Sequence, residues 1–128
     1  MSKNITTMQR PASVNRYDGL RIAAPAPDLS PVEASSSWTL TDSRAEVITI
    51  SSALLPDGSW VYGFCVSWAK GGKSSRLPSA ESGRFRSQHD AKLHAVGFML
   101  GYIEHFIPES QDALRAAEKS LVQLSLFE

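Results

Sequence analysis

The chain has 128 residues and a formal net charge of zero from 13 basic and 13 acidic side chains, so no bulk charge draws it to nucleic acid or an anionic membrane, though local patches remain open. The length allows one modest domain. The lone Cys65 excludes an internal disulfide, Met1 to Thr7 carries no apolar run of a secretory signal, and no stretch is long enough to span a bilayer. The expectation is therefore a soluble protein in a reducing, cytoplasmic setting.

From 1 to 43 the chain is rich in Pro, Ala, Ser and Asp, with Pro11, Pro25, Pro27 and Pro31 interrupting regular structure, and it reads as a mostly disordered N-terminal arm. Tyr17 to Ile22 suggests a short strand within it, and Ser30-Pro31-Val32-Glu33 has the residues of a helix capping box. Val47-Ile48-Thr49-Ile50 begins the first expected core strand, and Pro56-Asp57-Gly58-Ser59 marks a hairpin turn before Trp60. The next strand alternates: Trp60, Tyr62, Phe64, Val66 and Trp68 form a bulky face, and Val61, Gly63, Cys65, Ser67 and Ala69 a small one. The bulky face is expected to be core, with a base-stacking platform as the alternative, and the small face is expected to point outward. After Gly71-Gly72, residues 73 to 86 return as a third strand broken by Pro78 and the loop from Ser79 to Gly83.

A long helix is expected from Ser87, its N-cap, to Phe106, just before Pro108. Its apolar residues cover more than half its circumference, so it needs two packing neighbours. The sheet supplies one, and a second helix over 110–122, with Leu114, Ala117 and Leu121 on one stripe, supplies the other. The expected fold is α+β: a three-stranded antiparallel sheet on a long helix, then a second helix and a free C-terminal tail. The domain covers 44–122 and the tail 123–128.

That tail reads Gln123-Leu124-Ser125-Leu126-Phe127, and it resembles the pentapeptide by which bacterial proteins bind the DNA polymerase sliding clamp, matching at every position. The resemblance implies the clamp as partner and covers these five residues alone. Leu126 and Phe127 would be the apolar anchors, Leu124 a neighbouring contact and the Gln123 amide the register-setting hydrogen-bond group, while Ser125 faces water. Such peptides act from chain termini because they must reach a groove on another protein. The competing reading is that Leu121, Val122, Leu124, Leu126 and Phe127 fold back onto the domain as the end of the second helix.

Lys70, Lys73, Arg76, Arg84 and Arg86, opposed by Glu81 alone, form the most basic segment and are the candidates for DNA or RNA contact, against the plainer reading of a solvated loop and strand edge. On the long helix, Asp90, His94, Gly97, Gly101, Glu104 and His105 share one stripe. The Asp90/His94 spacing would suit a metal, but solvent exposure of the one polar arc is the simpler account. Gly97 and Gly101 would admit another backbone, as in a homodimer. A hairpin-rich sheet before a helix invites comparison with RNase H-like nucleases, whose magnesium needs converging carboxylates. The acids on offer, Glu46, Asp57, Glu81 and Asp90, make an unconvincing set, and no Walker loop, zinc spacing or nucleophile elbow is present. The expectation is a non-enzymatic protein with no cofactor or metal that occupies the clamp's partner groove to modulate or compete in DNA replication or repair. Its size favours competition or adaptor work, and a short disordered arm, a compact domain and a clamp peptide together would suit a mobile-element product. The alternatives are a nucleic-acid-binding module with an incidental tail and a clamp-tethered nuclease.

Overall fold

The computed structural model describes residues 15–24, 28–69 and 71–125. The chain is α+β, with four antiparallel strands rather than three. These are β1 (Ser36–Asp42), β2 (Glu46–Leu54), β3 (Trp60–Trp68) and β4 (Lys73–Ser79), in spatial order β1-β2-β3-β4. Helices α1 (Gln88–Leu100) and α2 (Pro108–Ser125) follow. Both lie on one side of the sheet, α1 over β2 and β3, and α2 against α1 and β1.

The added strand lies in the segment expected to be disordered. Trp38-Thr39-Leu40 alternates apolar and polar over too few residues to stand out, yet Trp38 pairs with Ile50 and Thr39 with Thr49. A register shift between Thr39 and Thr41 then turns buried Thr41 as well as half-buried Leu40 inward. Tyr17 to Ile22 forms a 3-10 turn (Asp18–Leu20) and a single bridge from Arg21 to Phe85, not a strand. The capping-box residues start no helix, and the Val32 N–H instead donates to the Pro78 carbonyl at 2.8 Å. Pro78 is the last residue but one of the edge strand β4, where its missing donor costs least.

The core forms where the bulky face of β3 meets the helices. Ile48, Phe64, Val66, Phe98, Met99, Tyr102, Phe106 and Leu114 make one cluster, and Ile50, Tyr62, Phe85, Ala91, Leu93, Val96, Ala117 and Leu121 are in its neighbour. Each large apolar side chain removed from water contributes about 1.5–3 kcal/mol. The small face of β3 is not wholly outward: Val61 is fully buried with Ala53 and Ala80 under Val32 and Leu55. Gly63 is required there, because a Cβ would lie 2.6 Å from the Leu77 carbonyl carbon where the β3–β4 register slips.

The Ser87 hydroxyl caps α1 as expected, accepting the Asp90 N–H at 3.1 Å. The helix stops at Leu100 rather than Phe106, and a 3-10 turn (Ile103–His105) carries the chain to Pro108, the first residue of α2. Glu46 fixes this junction from inside. Its buried carboxylate accepts the Trp68 indole N–H at 2.6 Å and the Ile107 N–H at 3.2 Å.

The middle of the polar stripe on α1 is not solvent-exposed, whereas Glu104, beyond the helix end, is. His94 is 4% exposed, and Gly97 is buried beneath residues 15–17. A Cβ on Gly97 would lie 2.8 Å from the Tyr17 ring and 3.0 Å from Asn15 Cγ, so what this glycine admits is side chains of the chain's own N-terminal segment rather than another backbone. Two effects oppose each other in Gly97→Ala: helix propensity favours alanine by about 1 kcal/mol, and overpacking costs about 1–3 kcal/mol. Urea unfolding should show a net loss of about 1 kcal/mol, whereas a gain would mean that this segment does not sit on α1.

Candidate functional site

The five clamp-motif residues lie at and beyond the end of α2. That helix continues through Ser125, three residues past the expected boundary at Val122, so Gln123, Leu124 and the Ser125 backbone belong to its last turn. Leu126 and Phe127 lie outside the described residues. The helix buries Ser110, Leu114, Ala117 and Leu121 against the domain. Beyond Leu121 the side chains are exposed: Val122 is 38% exposed, Leu124, which continues the line of Ala117 and Leu121, is 54% exposed, and Gln123 is also exposed. Residues three to four apart share a helix face, and Gln123 falls opposite the buried stripe, on the line of Lys119 and Arg115.

Two contacts hold α2 up to that point. His89 Nε2–H donates to the Leu121 carbonyl at 2.7 Å. The Tyr17 hydroxyl donates to Glu118 at 2.5 Å, with Arg16 3.3 Å from the same carboxylate. Among the described residues, the side chains of Val122, Gln123 and Leu124 have no hydrogen bond or ion pair.

The basic segment does not converge. Arg76 lies over the Phe64 and Phe98 rings, at 5.4 and 5.8 Å from their centroids, and donates to the Ser82 hydroxyl. Arg84 is held by Asp57 at 2.6 Å and the Ala24 carbonyl at 2.9 Å. Lys73 and Arg86 are exposed, but Lys73 pairs with Ser67 while Arg86 follows Phe85, which bridges Trp60. They therefore sit at opposite ends of β3, roughly 20 Å apart at the usual rise per residue. Lys70 lies outside the described residues.

Of the carboxylates weighed for magnesium, Glu46 is committed to Trp68 and Ile107, and Asp57 to Ser59 and Arg84. Among the described residues, no three histidine, cysteine or carboxylate side chains converge to hold a metal. His94 turns from Asp90 toward Asp18, at 2.7 Å from Nε2, and toward the Tyr62 hydroxyl, at 2.9 Å from Nδ1. A carboxylate only accepts, so neutral His94 carries its proton on Nε2, and its Nδ1 accepts a hydrogen bond from the Tyr62 hydroxyl. The Asn15 amide donates to the His94 carbonyl at 2.9 Å and accepts the Tyr17 N–H at 2.9 Å. A groove of about 500 Å³ beside Asp18 is lined by Arg21, Ala24, Glu81, Gly83 and Arg84, with charges of both signs.

Sequence reasoning missed this network because Asp18 and Asn15 lie 76 and 79 residues from His94 along the chain. The available signal was Asn15, Tyr17 and Asp18 within four residues. Among the described residues, no helix is long and apolar enough to cross a membrane. Comparison with known protein families, curated proteins and solved structures finds no match.

Burial pushes the His94 pKa down and outweighs the upward pull of Asp18. The fold therefore prefers neutral imidazole, and the unfolded chain, with a pKa near 6.5, takes up the proton first. This contribution to stability is full above about pH 6.5 and is lost as pH falls toward the depressed folded value. The unfolding midpoint should drop as pH falls below about 6.5, and His94→Gln should flatten that part of the profile. An unchanged slope in the variant would show that His94 does not drive it.

Proposed function

We propose that this chain is a non-enzymatic protein that binds the bacterial DNA sliding clamp through Gln123, Leu124, Leu126 and Phe127, and so modulates or competes for partner access during replication or repair. The observation that carries the reading is the exposure of the motif's first residues. Gln123 and Leu124 stand exposed in the last turn of a helix whose buried stripe stops at Leu121. A tail folded back onto the domain would place Leu124, the nearest apolar residue of the motif, in the interior, and at 54% exposure it is not so used.

The chemistry suits reversible docking. Two large apolar anchors give most of a short peptide's binding energy when they fill a preformed pocket, while the amide sets register by donating and accepting. Ordering the tail offsets part of that gain, which keeps affinity moderate and lets one groove be shared among partners. The folded domain works as a mount that holds α2 with its end projecting. Its polar interior supports that role: Asp18, His94 and Glu46 are hydrogen-bonded within the fold.

Leu126→Ala combined with Phe127→Ala should remove clamp capture, a loss of roughly 100-fold or more for two anchor residues. Gln123→Ala should weaken it by about tenfold. Both are measured by surface-immobilised clamp titration with circular dichroism as the folding control. Retention of wild-type affinity by the double variant would refute the reading.

A further inference from the structure

We infer that the docking surface extends from the C-terminal motif along the outward face of α2 to Lys119 and Arg115, and that the clamp meets it with an acidic patch beside its apolar groove. This rests on the clamp reading of the tail and adds the chemistry of the partner surface around it. Gln123, Lys119 and Arg115 are spaced four residues apart on one continuous helix. Successive members are about 40° apart around the axis, so all three share one face. Lys119 and Arg115 are exposed, as are the neighbouring Ala116 and Ser120. A partner that seats Gln123 must therefore pass close to both cations.

From Arg115 to the end of the helix the charge on this face has one sign, the exposed Asp112 lying one turn before it. Between Arg115 and Ser125 the only acidic residue is Glu118, and its carboxylate is taken by Tyr17 and Arg16. Neither Arg115 nor Lys119 has an ion pair or hydrogen bond among the described residues. The helix dipole does not account for them, because its effect is confined to the terminal turn and the last turn of α2 holds no basic residue. Small Ala116 and Ser120 beside them leave room for a flat partner surface, in contrast to the separated basic residues of the 70–86 segment. Charges at the rim of an interface act mainly on association rate and salt dependence.

The test is Arg115→Glu with Lys119→Glu in the full chain, titrated against purified clamp at low and high salt. Both side chains are exposed, so the unfolding midpoint should stay that of the parent. The expected result is a clamp affinity about tenfold weaker near 0.05 M salt, chiefly through slower association. The difference should shrink to about twofold or less near 0.5 M, where screening is strong. Equal affinities at low salt, or a loss indifferent to salt, would overturn the inference while leaving tail docking in place. A variant that loses affinity for duplex DNA but keeps clamp affinity would overturn it as well. No clamp binding by the unaltered chain would remove both this inference and the reading beneath it.

Discussion

The hydrogen-bonded contact of Asn15 and Asp18 with His94 is the constraint on which the rest of the arrangement depends. His94 is an imidazole in the middle of α1, 4% exposed, beneath a segment of irregular chain. An imidazole buried without partners would cost about 1–3 kcal/mol, and Tyr62 from the sheet and Asp18 from the N-terminal segment satisfy both its nitrogens. One side chain thus joins sheet, helix and N-terminal segment. Tyr62 shares in the arrangement: burial raises its pKa to about 12, so its hydroxyl stays protonated and available as a donor at ordinary pH.

From that junction the organisation reaches α2. The segment held on His94 also presents Tyr17 and Arg16 to Glu118, and α1 presents His89 to the Leu121 carbonyl. The second helix is gripped from two sides up to Leu121, and Glu46 fixes its start through Ile107. A helix fixed at its base and along one stripe, with an exposed end, suits a peptide meant for another protein. Within the mount, the buried side chains of His94 and Glu46 are both hydrogen-bonded inside the fold.

Much of this was legible in the residues. The hairpin around Asp57-Gly58, the alternation from Trp60 to Trp68, the Ser87 cap and the stripe Leu114, Ala117 and Leu121 each carry a local physical signal, and the structure has a matching element for each. Three features were not legible. The strand at Ser36–Asp42 is short, serine-rich and bulged, so its alternation is brief and depends on pairing with β2. The polar arc of α1 has the pattern of a solvent face, and only the distant Asn15 and Tyr17 bury its middle. The basic run from Lys70 to Arg86 is contiguous in sequence, yet the path along β4 and the turn after it spreads its members over both ends of the sheet. For the candidate site, the motif could be read directly, whereas the exposure of Gln123 and Leu124 and their alignment with Lys119 and Arg115 required the course of α2.

Amide chemical-shift mapping of the labelled chain during titration with purified clamp tests the central claim most directly. The account predicts changes that start near Arg115 on the outward face of α2 and grow toward Phe127, with the amides of Tyr62, His94 and Asp18 unmoved because the mount stays intact. Changes centred on the sheet, or on Lys73 and Arg86 with residues 119 to 127 silent, would contradict it.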